Sequence, residues 1–241
     1  MPATSPAREK CRTCRLHSLC LPRELPQGDT SELARIVQTR RPMKRGTYVL
    51  QAGGHFQSIF AVRTGSVKTS TLLPSGDEHI SGFHLPGEIL GLDAIASRSH
   101  PSTSVTLETS HVCEIPFTEL EHLSERIPAL QRQLLRIMSR ELSTEQSTTH
   151  LLARRSAEQR LAMVLLDFSQ RFANRGLSAR HFRLPMSRSD LANYLGLAPE
   201  TMSRTFRRLE ARGLLSIAGK AVVILDPIAL AELVDGASGG S

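Results

Sequence analysis

The residues best equipped for chemistry in this chain are its four cysteines, and three of them crowd together. Cys11, Cys14 and Cys20 form a C-x2-C-x5-C array, and Cys113 follows far downstream. A tight triplet of thiols is costly unless something holds it. Disulfides among three neighbours leave an odd thiol, and nothing in the sequence points to an oxidising compartment. Structural zinc usually takes paired knuckles or Cys/His pairs, and no second knuckle follows. An iron–sulfur cluster needs four thiolates, tolerates uneven spacing and accepts one ligand from far away in sequence. The spacing therefore favours a metal centre, without choosing iron over zinc. A redox C-x-x-C plus a buried core cysteine fits the same residues. His17, inside the array, is the histidine nearest a candidate metal and is expected to face solvent. Taken alone, Cys113 in its apolar strand reads as a core residue.

Charge supplies the second candidate chemistry. The 241 residues carry a net charge of +7. Residues 41–120 hold six Lys/Arg against seven Asp/Glu, whereas residues 180–220 hold eight against three. A basic block confined to one end predicts a polyanionic partner for that end. Aromatic content is only 4% with no Trp, which argues against base-stacking, single-strand binding. No P-loop, H-E-x-x-H or G-x-S-x-G motif is present, so no enzyme class is indicated. No apolar run approaches a membrane span. The start, MPATSPAREKC, has no apolar signal core, and a cytoplasmic protein with reduced thiols is expected.

Three kinds of text must position these residues. From about Arg45 to Pro116 short β-rich runs alternate with glycine turns, predicting a small barrel or jelly roll. From about Phe117 to Ala153 glycine is absent and proline occurs once, predicting a short helix and then a long one. From Arg155 onward the pattern predicts a helix over 156–172, a short strand over 181–184, two compact helices and a β-hairpin. The terminal DGASGGS is expected to fray.

The two compact helices carry the most specific pattern. Ser187 and Asp190 form a capping box ahead of SDLANYL. Gly196 supplies the tight turn, Leu197 is its apolar residue, and a second helix starts at Pro199 and runs to Gly213. This is helix-turn-helix spacing. On the second helix Glu200, Ser203, Arg204 and Arg207 share one face, while Met202, Phe206 and Leu209 point into a core. Such a polar face suits base edges in the major groove of double-stranded DNA. LLSIAGKAVVIL reads as a wing with Lys220 at its tip, placed to meet phosphate.

These residues together resemble the fumarate and nitrate reduction regulator (FNR) family, within the cyclic-AMP receptor protein superfamily. The similarity covers nearly the whole chain and is most specific at CRTCRLHSLCLP, SGDEHISGFHLPGEILGLDAI, HVCEIP and NYLGLAPETMSR. It implies one oxygen-labile 4Fe–4S cluster per subunit on Cys11, Cys14, Cys20 and Cys113. It also implies homodimerisation and binding to a TTGAT-type palindrome in the absence of oxygen. The family's E-x-x-S-R recognition motif falls on Glu200, Ser203 and Arg204. The turn around Gly76 becomes a candidate surface for RNA polymerase. Two positions depart from the family pattern: Arg15 follows the second cysteine where a small polar residue is usual, and Pro199 precedes Glu200. The superfamily's cyclic-nucleotide receptors hold phosphate with an Arg-Ser pair after a Gly-Glu loop. Here Gly87-Glu88 is kept but the pair reads Pro101-Ser102, so no cyclic nucleotide is expected.

The expected architecture is α+β: a flexible cysteine-rich arm (1–30), a β-roll sensor domain (31–125), a dimerisation helix (126–154) and a C-terminal winged helix-turn-helix domain (155–235). In heptad register the long helix places Leu135, Met138, Leu142, Glu145, Thr149 and Leu152 on one seam. Paired Glu145 carboxylates would repel across a dimer axis and make that seam marginal. The alternative from a different sensing chemistry is a redox or small-molecule regulator whose cysteines bind zinc or form disulfides.

Overall fold

The computed structural model describes residues 11–154 and 156–236, with the backbone alone at 145 and 147–154. The chain divides into two compact units, Met1–Leu142 and Ser143–Ser241.

The first unit is a β-roll built from two four-stranded sheets. One sheet has the order β1 (Gln38–Thr39), β8 (His111–Pro116), β3 (Ser58–Thr64), β6 (Ile89–Leu90). The other has the order β2 (Tyr48–Leu50), β7 (Thr103–Thr106), β4 (Val67–Leu72), β5 (Glu78–His84). Helix α1 (Gln27–Ile36) precedes the roll, and α2 (Phe117–Arg126) and α3 (Pro128–Arg154) follow it. The short helix and then the long one appear as the glycine-free text predicts.

Strand β3 is buried at five successive positions, Ser58 to Val62, for a physical reason. Ile59 and Ala61 belong to a core cluster shared with Leu21, Leu33, Leu120 and Leu130. Phe60 and Val62 face a second cluster inside the roll, with Val67, Leu90 and Val112. Both faces of the sheet are covered, so alternation gives way to a continuous buried run. Strand β8 likewise has a buried residue on each face: Val112 faces the roll interior, and Ile115 faces the first cluster beside Cys113.

Of the expected arm, residues 1–10 lie outside the described residues. Residues 11–25 fold as successive turns, and Leu21 and Leu25 are buried in the first cluster. The two leucines anchor the segment, each contributing roughly 1.5–3 kcal/mol when fully buried. Helix α1 was not legible beforehand: its QGDTSELARI text is mostly polar, and only Thr30, Leu33 and Ala34 are buried.

The second unit holds α4 (Ala157–Ala173), β9 (His181–Arg183), α5 (Arg188–Tyr194), α6 (Pro199–Ala211), β10 (Leu215–Ala218), β11 (Ala221–Ile224) and α7 (Pro227–Asp235). Strands order as β10-β11-β9, and the hairpin turns at Gly219-Lys220 as predicted. Ser156 caps α4 through a capping box with Gln159. Helix α7 is an addition to the sequence reading. Asp226 caps it by accepting from the Ile228 and Ala229 amides. The expected fraying falls mostly on residues 237–241, outside the described residues.

Candidate metal centre and nucleic-acid interface

The four thiols converge. Cys11, Cys14, Cys20 and Cys113 line one cavity of about 40 Å³, together with Leu16, Leu21, Val37, Ala61, Ile115 and Arg63. Strand register supplies Cys113, paired across β8 with Ala61 of β3 and Thr39 of β1. Local turns supply the other three: the His17 amide donates to the Cys14 carbonyl (3.0 Å), and the Cys20 amide to the Leu16 carbonyl (3.0 Å). His17 lines the same cavity and is half-buried, which corrects the expectation that it faces solvent.

Glycine makes room for the loop. Gly87 adopts φ +95°, and a Cβ there would stand 2.8 Å from the Leu19 Cβ. The Gly-Glu turn that the superfamily's nucleotide receptors use for phosphate thus lies directly under the cysteine loop.

None of the four thiols is in a disulfide. Burial pushes the Cys11 thiol up to about 11, helped by Cys113 and Cys14 and opposed by Arg63. Burial pushes Cys20 up to about 12. Thiolates are disfavoured here unless a cation shares the cavity. Among the described residues no three His, Cys, Asp or Glu side chains stand as a ready ligand set. Four soft donors around one apolar hollow nevertheless fit an iron–sulfur cluster or zinc, and do not fit an oxygen-seeking cation.

The loop is tied to α3. The buried Gln133 amide donates to the Cys20 carbonyl (3.5 Å), and Arg136 pairs with Glu24. Glu24 sits in the left-handed region at φ 65°. The Arg136 guanidinium holds its carboxyl below the usual carboxylate range. Of the residues expected on a dimer seam, Leu135 and Leu142 are 58% and 61% exposed, and Met138 is half-buried. The Glu145, Thr149 and Leu152 side chains lie outside the described residues.

In the second unit the expected reading face is laid out on α6. Glu200, Ser203, Arg204 and Arg207 are exposed, while Met202, Phe206 and Leu209 are buried. Ser187 and Asp190 form the capping box of α5, Gly196 turns at φ 61°, and Pro199 opens α6. The Ser203 hydroxyl turns back onto the Pro199 carbonyl (3.0 Å). The Lys220 ammonium donates to the Pro185 carbonyl at 2.5 Å, which ties it to the segment that follows β9. Arg188, which the sequence reading passed over, stacks 3.9 Å over Phe206 and donates to the Gly219 carbonyl (3.2 Å). Its place directly after the Ser187 cap was the available signal.

Residues 159–233 match the Crp-like helix-turn-helix domain, and residues 40–126 match the cyclic nucleotide-binding domain. Over 223 residues the chain is 43% identical to the fumarate and nitrate reduction regulatory protein of Escherichia coli, covering 92% of this chain and 89% of that one. This chain belongs to the FNR family. Another relative, the transcriptional activator protein anr of Pseudomonas aeruginosa, is 47% identical over 226 residues, with 94% and 93% covered. The solved structure of FixK2 from Bradyrhizobium japonicum superposes with a TM-score of 0.75 at 28% identity, covering 82% of this chain and 97% of that one. The α+β fold of this FNR-family chain, a β-roll with a winged helix-turn-helix, is therefore that of the superfamily. It is a DNA-binding transcription regulator and not an enzyme. Among the described residues no helix is long and apolar enough to cross a membrane.

Proposed function

We propose that this chain is an oxygen-responsive transcriptional activator of the cytoplasm that holds one 4Fe–4S cluster per subunit on Cys11, Cys14, Cys20 and Cys113. The observation that carries the reading is the convergence of all four thiols, and only hydrophobic neighbours with them apart from His17 and Arg63, on one cavity. Such a cluster would supply the sensitivity to oxygen; the chain's residues supply the coupling. Gln133 and Arg136 grip the cysteine loop from one side of α3, while Leu135, Met138 and Leu142 lie on the seam. Ordering the loop therefore favours one placement of α3, and homodimerisation along the seam follows. A two-fold dimer would present two α6 helices to a TTGAT-type palindrome, with half-sites about one helical turn apart. Arg204 would read guanine, with Glu200, Ser203 and Arg207 beside it. Lys220 and the wing would lie along the phosphates.

RNA polymerase is the proposed second partner, at the turn around Gly76. There Leu72 and Leu73 stand 76% and 45% exposed, beside a glycine at φ 89°. A cyclic nucleotide is not the proposed ligand. At the Pro101-Ser102 position the Ser102 hydroxyl donates to the Asp93 carboxylate (2.7 Å), whose charge would repel a phosphate.

Anaerobic purification with iron and sulfide counts tests the cluster. A brown protein with four irons and four sulfides per chain that bleaches in air is expected. A colourless protein carrying zinc, or one with disulfides, overturns the oxygen-sensing reading in favour of the alternative.

A further inference from the structure

The sheet register sets one polar side chain, that of Thr39, opposite Cys113. Thr39 pairs directly with Cys113 across β1 and β8. The Arg40 amide donates to the Val112 carbonyl, which makes Arg40–Val112 and Gln38–Glu114 the hydrogen-bonded pairs of this ladder. Thr39–Cys113 is then the intervening non-hydrogen-bonded pair, in which opposed Cα atoms approach to about 4.5 Å and side chains lie close on one face. Alternation confirms the face. Arg40 and Glu114 point the other way, where they pair at 2.8 Å and Arg40 covers the Phe60 ring. Val37 and Ile115, two positions from Thr39 and Cys113, both line the cysteine cavity.

On that face the Thr39 hydroxyl oxygen is buried without any hydrogen-bond partner. A buried, unsatisfied hydroxyl is costly, and an acceptor present in another state of the protein would remove that cost. A neutral thiol is a weak acceptor, whereas a metal-bound thiolate is a strong one. We propose that Thr39 is a positioning residue of the metal centre, donating its hydroxyl proton in a hydrogen bond to the Cys113 sulfur when that sulfur is a ligand. The inference rests on the cluster reading above. Hydrogen bonds to ligand sulfurs stabilise the more negative, reduced state of a cluster and so raise its potential.

Thr39→Val removes the hydroxyl and keeps the branched shape; Thr39→Ser keeps the hydroxyl. Anaerobic wild-type, Thr39→Val and Thr39→Ser proteins are compared for iron and sulfide content, midpoint potential and rate of bleaching in air. Thr39→Val is expected to bind the full cluster with a more negative potential and faster bleaching, and Thr39→Ser to match wild type. In urea, metal-free Thr39→Val is expected to be at least as stable as metal-free wild type, because it loses an unsatisfied group. Equal potentials at equal iron content overturn the Thr39 role alone. A metal-free Thr39→Val that is clearly less stable, with an unchanged potential, assigns Thr39 to packing and likewise overturns the role. A wild-type protein that takes up no iron overturns the cluster reading and this role with it.

Discussion

The cysteine cavity and the reading helix are built in opposite ways. All four expected reading residues of α6 sit within one thirteen-residue helix, and its buried side, Met202, Phe206 and Leu209, follows from helical periodicity alone. The cavity draws on a turn-rich loop, on β3 and β8, and on the approach to β1, with Cys20 and Cys113 more than ninety positions apart. A local site can be altered one contact at a time. A site closed by tertiary structure should fail as a unit, and this contrast can be tested.

The largest effect is expected from Cys113→Ser. It should lose the cluster, and with it tight DNA binding, as completely as Cys14→Ser in the loop. A full anaerobic cluster in Cys113→Ser would remove the distant ligand and make the centre local after all. Gly87→Ala should come next. It forces a side chain into φ +95° and against Leu19, so the loop must shift. Iron content after desalting should fall although no ligand has changed; unchanged content would show that the loop does not depend on this turn.

Glu145→Leu sharpens the comparison at the seam. It removes two charges per dimer and adds burial of roughly 1.5–3 kcal/mol per side chain if fully enclosed. Sedimentation in air should show dimers for Glu145→Leu and fewer for Glu145→Ala; a monomeric Glu145→Leu would sink the repulsion argument. Arg204→Ala should cost ~1–3 kcal/mol per contact and relax discrimination at one base pair of each half-site. Lys220→Ala should weaken all sequences alike and flatten the salt dependence. Equal losses for Arg204→Ala on specific and scrambled sites would deny α6 its reading role.

The smallest effect belongs to Arg136→Ala, which releases an exposed pair holding the loop to α3. Because Arg136 depresses the Glu24 pKa, the pairing contributes above the ordinary carboxylate pKa and is lost as pH falls through the lowered value. The wild-type advantage over Arg136→Ala in retaining iron should therefore shrink as the pH falls below the ordinary carboxylate range.

Local rules carried the sequence far. Capping at Ser187, the turn at Gly196, proline at the head of α6 and apolar spacing along 117–153 depend on neighbours within a few residues, so they were legible from order alone. The four cysteines were visible as residues, and only a resemblance joined Cys113 to the other three. Their meeting depends on β8 pairing with β1 and β3, and on Leu21 and Leu25 drawing the loop into a core built from distant helices. Thr39 carries no sequence signal: a threonine in a two-residue strand is ordinary until register sets it opposite a thiol. Helix α1, the half-buried His17 and the anchored Lys220 ammonium likewise follow from what lies across from them. Residue order determined the expected reading helix because its forces act within one turn; tertiary structure decided the cysteine cavity because burial and strand register act between segments far apart in the chain.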